Sequence, residues 1–248
     1  MIDIHAHVLP GLDDGAESWD DALTMARLAV KSGVTDLIAT PHCGLPGQDP
    51  EGRAEQVRDQ VYVFREKLTR AEIPLNVYEG MEVFGTEDTD YLLQKGLLTG
   101  LNGTRYLLIE FPFEQYARPA TRILDEVLSL GFCPVVGHPE RYLYIQNDPT
   151  ILNLWMDMGC LFQVNRGSLM GRFGVAAQEL SWAMLERGFI CAVASDAHSP
   201  LMRTTWMKDV YDLLRDETSE DAARLILEER PRQLLLGQTV DIPEPNWF

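Results

Sequence analysis

The chain has 248 residues, 46% of them hydrophobic, and a formal net charge of −17. That length and apolar content suit a single α/β domain spanning 1–248 with a well-buried core. The acidity argues against a nucleic-acid partner, whose binding rests on lysines and arginines that neutralise phosphates, and no apolar run approaches the ~20 residues of a membrane span. The N-terminus has no basic and apolar signal regions, so a soluble cytoplasmic protein is expected. Cys43, Cys133, Cys160 and Cys191 are widely spaced and suit buried positions in a reducing compartment better than a disulfide frame.

The chain opens on MIDIHAH, which reads as a short strand. Side chains alternate along a strand, so His5 and His7 share a face and can hold one metal ion. A Gly/Pro/Asp-rich loop follows, then a helix starting at Ser18, with Ala22, Met25, Ala26, Ala29 and Val30 at helical spacing up to Gly33. The second strand, Val34 to Thr40, ends at Pro41 and His42. A helix over about 51–71 leads to the third strand, Ile73 to Tyr78, which runs into Glu79 and Glu82. After a short helical stretch around Tyr91 to Lys95, the fourth strand, Tyr106 to Phe111, carries Glu110. Pro119 lies near the start of the next helix and Gly131 at its end. The fifth strand, Phe132 to Val136, delivers His138 and Arg141. A helix from about Pro149 to Met158 precedes the sixth, Cys160 to Val164, followed by Asn165 and Arg166. The seventh, Phe189 to Ala194, ends in Asp196 and His198. One or two helices follow Arg203, and the prolines of DIPEPNWF predict an extended tail.

Strand-then-helix units in series predict a parallel sheet, and their even spacing favours closure into a barrel. Catalytic groups in such barrels follow the C-terminal ends of the strands. All five histidines, His5, His7, His42, His138 and His198, fall there, with Asp13, Asp14, Glu79, Glu82, Glu110 and Asp196. Any one of these histidines alone reads as an ordinary core or surface residue; five on one rim read as a metal site. The mix of imidazole and carboxylate suits Mn²⁺, Fe²⁺ or Zn²⁺ rather than Ca²⁺. Cys43, beside His42, reads as packing.

The stretches MIDIHAHVLPGLDDGA, IATPHC, GMEV, LIEFP, VVGHPERY, FQVNRGSLMGRFG and ASDAHS together resemble the PHP (polymerase and histidinol phosphatase) superfamily. Within it the chain is similar to the bacterial PHP-type protein-tyrosine phosphatases of capsule and exopolysaccharide synthesis. The resemblance implies a distorted seven-stranded (β/α) barrel, TIM-barrel-like, with three divalent metal ions, Mn²⁺ foremost. It implies that His5, His7, Glu82 and Asp196 hold one ion, that Glu82 bridges to a second held by Glu110 and His138, and that Asp14, His42 and His198 hold the third. Asp14 against Asp13, and Glu82 against Glu79, remain open. Three divalent ions against four carboxylates leave about two positive charges, so an acidic protein can hold a phosphate dianion there.

Arg141 and Arg203 fit bidentate phosphate binding, a role the resemblance supports, with Arg166 a weaker third candidate. The implied substrate is a phosphotyrosine protein, in particular a partner bacterial tyrosine kinase. Tyrosine, with an ordinary pKa near ~10, leaves with less protonation than a serine alkoxide, and no general acid is legible. Cys160 and Arg166 imitate the spacing of a cysteine-dependent phosphate loop. The intervening LFQVN alternates as a strand, however, which would set the two about 20 Å apart. Rival readings are another PHP phosphoesterase such as a histidinol-phosphate phosphatase, a non-catalytic metal-binding regulator, and an amidohydrolase, which commonly has a lysine where this chain has Glu110.

Overall fold

In the computed structural model, which describes residues 1–248, the first strand, β1 (Ile2–Ala6), is buried along its whole length. Strands covered on both faces belong to parallel sheets, and every ladder in the protein is parallel. Helix α1 (Trp19–Lys31) starts at Ser18, whose Oγ accepts a hydrogen bond from the Asp21 amide at 3.2 Å. Asp20 and Asp21 in its first turn and Lys31 in its last complement the helix dipole. Ala22, Met25, Ala26 and Ala29 form its buried stripe.

The second and third expected strands are each broken in two. The former becomes β2 (Asp36–Ala39) and β3 (His42–Cys43); the latter, beyond helix α2 (Arg53–Arg70), becomes β4 (Asn76–Glu79) and β5 (Glu82–Phe84). Pro41 has no N–H for the ladder. At Gly80 the backbone runs so close to β2 that a Cβ would sit 2.8 Å from Ile38 Cγ2. The sheet therefore divides into a three-stranded piece, β1-β2-β4, and a six-stranded piece that runs from β3 through β5. The larger piece continues with β6 (Tyr106–Glu110), β7 (Cys133–Gly137), β8 (Leu161–Asn165) and β9 (Ile190–Ala194). Nine strand segments thus replace the seven expected strands. Beyond β9 the chain returns to β1 through an isolated parallel bridge, Ala6 to Ala197. There the His7 amide donates to Ala197 O at 2.8 Å, and the Asp196 amide to His5 O at 2.9 Å.

Helices α3 (Thr89–Gln94), α4 (Ala117–Ser129), α5 (Leu143–Asn147) and α6 (Thr150–Met158) fill the next connections. The short α7 (Arg166–Leu169) and then α8 (Val175–Glu186) lie between β8 and β9. The sequence reading had no helix at α8. Its buried Ala177, Leu180 and Met184 lie at helical spacing, but Val175, Trp182 and Leu185 make the other faces apolar too, so no single stripe stands out.

Alternation along the strands separates two apolar cores. Leu107, Ile109, Val136, Phe162 and Val164 face the helices and join Ile123, Leu124 and Val127 of α4. The opposite residues Tyr106, Leu108, Val135 and Leu161 form a second cluster with Ile38. These lie on the strand face that ends in Glu110, Gly137, Gln163 and Asn165, so they floor the polar site. Helices α9 (Lys208–Glu217) and α10 (Glu220–Arg224), a π-helical turn over 225–229, and α11 (Arg230–Leu235) complete the fold. Leu234 and Leu235 join the floor cluster, and Arg230 Nη1 donates to Ile190 O at 2.8 Å. The tail forms no helix or strand, and Phe248 packs on Phe189. No helix is long and apolar enough to cross a membrane.

Candidate metal centre

Asp3 and His5 on one face of β1, and His7 just beyond its end, are fully buried. Nε2 of His5 and Nε2 of His7 lie 3.2 Å apart. The following loop folds back so tightly that the Ala16 amide reaches His7 O at 3.0 Å, and a Cβ on Gly15 would meet that oxygen at 2.2 Å. This loop brings in two neighbouring aspartates with different tasks. Asp13 Oδ2 faces His7 Nδ1 at 2.6 Å and accepts the His42 amide at 3.0 Å. Asp14 Oδ1 stands 3.5 Å from Nε2 of both His42 and His198.

Glu82 occupies the middle, with no exposure. Its Oε2 lies 3.2 Å from Nε2 of His5 and of His7, and 3.0 Å from His42 Nδ1, while Oε1 is 2.9 Å from His138 Nε2. Glu79 instead pairs with Arg58 at 3.8 Å. Glu110 Oε1 is 2.9 Å from His42 Nδ1 and its Oε2 is 3.7 Å from His138 Nε2. Asp196 Oδ1 approaches Nε2 of His5 at 3.5 Å and of His7 at 3.6 Å, and His198 Nδ1 faces Asp196 O at 3.1 Å. His138 and Asp196 hold left-handed backbone, at φ 37° and 49°, a strained state for such residues that concentrates at functional sites.

Potential ligand atoms gather in four groups: His7, Asp14, His42 and His198; His5, His7 and Asp196; His5, Glu82 and His138; and His42, Glu82 and Glu110. All nine residues singled out from the sequence are present. The grouping differs in detail, since His138 falls beside His5 and Glu110 beside His42. The charges interlock: burial works against protonation of His42, yet contacts with Glu110 and Glu82 raise its pKa to about 10. Burial, reinforced by the His7 charge, lowers His198 to about 3. Burial alone would raise Glu82 and Asp196, but the surrounding histidines hold both well below the carboxylate range.

Glu82 Oε2 and His42 Nδ1 are buried without a hydrogen bond, although nitrogen and oxygen atoms crowd round them. Buried polar atoms are normally satisfied. Imidazole nitrogens converging on carboxylate oxygens are the donor set of a borderline divalent cation, so these residues fit bound metal.

Two arginines border the cluster. Arg141 Nη1 lies 3.4 Å from Asp196 Oδ2, and its guanidinium carbon is 4.6 Å from the Phe113 ring centre and 4.3 Å from that of Phe173. Arg203 pairs with the same Asp196 oxygen through Nη2, and its Nε donates to Asp196 O at 3.1 Å. Arg166 is a correction to the sequence reading as a phosphate ligand. It is buried and its fork is committed to Asp209, Nε to Oδ1 at 2.7 Å and Nη2 to Oδ2 at 2.5 Å. Cys160 is buried and its thiol is pushed up by burial, so it is no activated nucleophile. Cys43, also buried, is raised to about 11 by burial.

Sequence reasoning missed the buried residues behind the cluster. Asp3 Oδ1 accepts the Ser195 amide at 3.0 Å, and Glu140 Oε1 accepts the Asn165 amide at 3.1 Å and Ser168 Oγ at 2.5 Å. Gln163 Oε1 lies 2.8 Å from His5 Nδ1. For Asp3, Gln163 and Asn165 the available signal was polar residues at alternate positions of strands too apolar to be exposed, whereas Glu140 lies in the turn after β7.

Residues 1–236 match the family described as capsular polysaccharide synthesis, CpsB/CapC. The chain is 36% identical over 242 residues to tyrosine-protein phosphatase YwqE of Bacillus subtilis, covering 97% of this chain and 93% of that one. It is 28% identical to tyrosine-protein phosphatase CpsB of Streptococcus pneumoniae, covering 97% of this chain and 100% of the other. A crystal structure from the work on these two, described as unique metal-dependent tyrosine phosphatases, superposes with a TM-score of 0.93 at 35% identity, covering 100% and 99% of the chains. The lactonase Lmo2620 of Listeria monocytogenes, at 10% identity and a TM-score of 0.64 over 96% and 95% of the chains, shares the fold alone.

Proposed function

The chain belongs to the CpsB/CapC capsular polysaccharide synthesis family, and from that premise we propose that it is a metal-dependent tyrosine-protein phosphatase. The observation that carries the chemistry is the buried Glu82 Oε2, left without a hydrogen bond amid His5, His7 and His42. We read the two sheet pieces, joined through the Ala6–Ala197 bridge, as a distorted seven-stranded barrel whose strands two and three are kinked. The whole of 1–248 forms one domain on this reading.

His5, His7, Glu82, Asp196, Glu110, His138, Asp14, His42 and His198 would hold three divalent ions, Mn²⁺ foremost. Bound there, the ions supply Lewis acidity that activates water near neutral pH and offsets charge on the phosphoryl group. Asp13 holds His7 with its Nε2 facing the cluster, and the Asp196 carbonyl does the same for His198. Arg141 and Arg203 converge on one oxygen of Asp196, and from there their forks reach an incoming phosphate. The substrate is a phosphotyrosine protein, in particular a bacterial tyrosine kinase of capsule synthesis, met in the cytoplasm.

The purified protein with Mn²⁺ is expected to hydrolyse a phosphotyrosyl peptide, and chelator to stop it. Comparing kcat/KM on that peptide and on histidinol phosphate separates this reading from another PHP phosphoesterase. Absence of turnover with every divalent metal tried would count against both.

A further inference from the structure

Gln163 and Asn165 stand on one face of β8, both fully buried, and neither belongs to the proposed ligand set. The direction of their hydrogen bonds is fixed from one end. Oδ2 of Asp196 receives Arg141 and Arg203, so it acts as an acceptor only. Asn165 must therefore turn Nδ2 to that oxygen, which it meets at 2.5 Å. Its Oδ1 is then left to accept from Gln163 Nε2, at 2.8 Å. Gln163 in turn has only Oε1 to offer His5 Nδ1, at 2.8 Å. Flipping either amide alone would set oxygen against oxygen or nitrogen against nitrogen. The backbone is pinned as well, because the Asn165 amide donates to Glu140 Oε1 at 3.1 Å and Gln163 O accepts the His138 amide at 2.8 Å.

We propose that Gln163 and Asn165 are positioning residues that form a one-way amide relay between Asp196 and His5, holding the His5 proton on Nδ1 and freeing Nε2 for metal. His7 and His198 take their acceptors from Asp13 and from a backbone carbonyl. His5 differs because its orientation depends on the other end of the relay, the proposed ligand Asp196. The relay fixes both partners at once: Asp196 Oδ2 is occupied, and Oδ1 remains facing His5 and His7. A neutral amide also adds no further negative charge behind a cluster that already holds several carboxylates.

The consequence for metal rests on the metal-binding reading above, and the test separates the two. In ¹⁵N-histidine-labelled protein loaded with Zn²⁺, a diamagnetic probe, His5 is expected to be metallated at Nε2 with a sharp, slowly exchanging Nδ1–H. Gln163→Met, similar in size but without polar atoms, should lose that signal and weaken Mn²⁺ binding by about 10–100-fold. Gln163→Glu keeps an acceptor towards His5 but sets an oxygen against Asn165 Oδ1, so it should restore the Nδ1–H signal while recovering only part of the affinity. Metallation of wild-type His5 at Nδ1 would overturn the relay without recourse to any variant. It would equally fall if Gln163→Met kept both signal and affinity, or if Gln163→Glu matched the wild type in both, since the donor to Asn165 would then be dispensable. Failure to hydrolyse phosphotyrosine would sink the proposed activity and leave these measurements standing.

Discussion

His42 sits between three carboxylates, and a cation bound there must displace its proton. Burial disfavours the charged imidazole, but Glu110 and Glu82 outweigh it and raise the pKa from 6.5 to about 10 in the metal-free protein. A group raised on folding contributes stability that is fully present below its unfolded value and is lost as pH rises through its folded value. Metal-free protein should therefore melt at progressively lower temperature between pH 6.5 and about 10. Mn²⁺ affinity should climb over the same interval, because ligands bind metal deprotonated. Calorimetric titration at several pH values, alongside thermal melts, checks both slopes; a pH-independent affinity would contradict the assignment. Asp13 has the opposite sign. Burial would raise it, but His7 lowers it from 3.8 to about 2, so its contribution is present above 3.8 and fades as pH falls towards 2.

The loop between β1 and α1 shows how an element, rather than a ligand, shapes the centre. Gly15 lets this loop fold onto His7, and alanine there would place Cβ 2.2 Å from the His7 carbonyl oxygen. Backbone must move to relieve such a contact, at a cost of about 1–3 kcal/mol for overpacking. Asp13 and Asp14 move with it, so Gly15→Ala should lose both stability in urea and bound metal; full metal content in the folded variant would show that the loop does not position them. Legibility in the sequence follows the same local logic. The five histidines were readable because each ends an apolar run, and the cap at Ser18 because its partner lies three residues away. The break at Pro41 was visible as a proline but not as a division of the sheet, which also needs the close approach of Gly80 to Ile38. Asp209 as the partner of Arg166 lies 43 residues away in sequence, and no local pattern announces it. Gln163 and Asn165 read as ordinary alternation until the burial of both faces of β8 is known.

At the scale of the whole molecule, the centre ties the first strand to the segment that follows the last one. His5 and His7 face Asp196 and His198 across the Ala6–Ala197 bridge, where the two sheet pieces meet outside the continuous ladders. Metal held there restrains elements that are otherwise joined by few backbone hydrogen bonds, so occupancy and global stability should be linked. A ligand that binds only the folded state stabilises it by mass action, about 4 kcal/mol when free metal exceeds Kd by about 1,000-fold. For a domain of this size, 1 kcal/mol shifts Tm by roughly 2–4 °C. Saturating one such site with Mn²⁺ should therefore raise Tm by roughly 8–16 °C over chelator-treated protein. Further sites of similar affinity would widen the gap. Differential scanning calorimetry with and without chelator measures it, and His7→Ala, which removes a member of two of the four ligand groups, should narrow it while leaving the metal-free Tm less changed. An equal Tm in Mn²⁺ and in chelator would mean that the centre does not bind metal tightly enough to brace the junction.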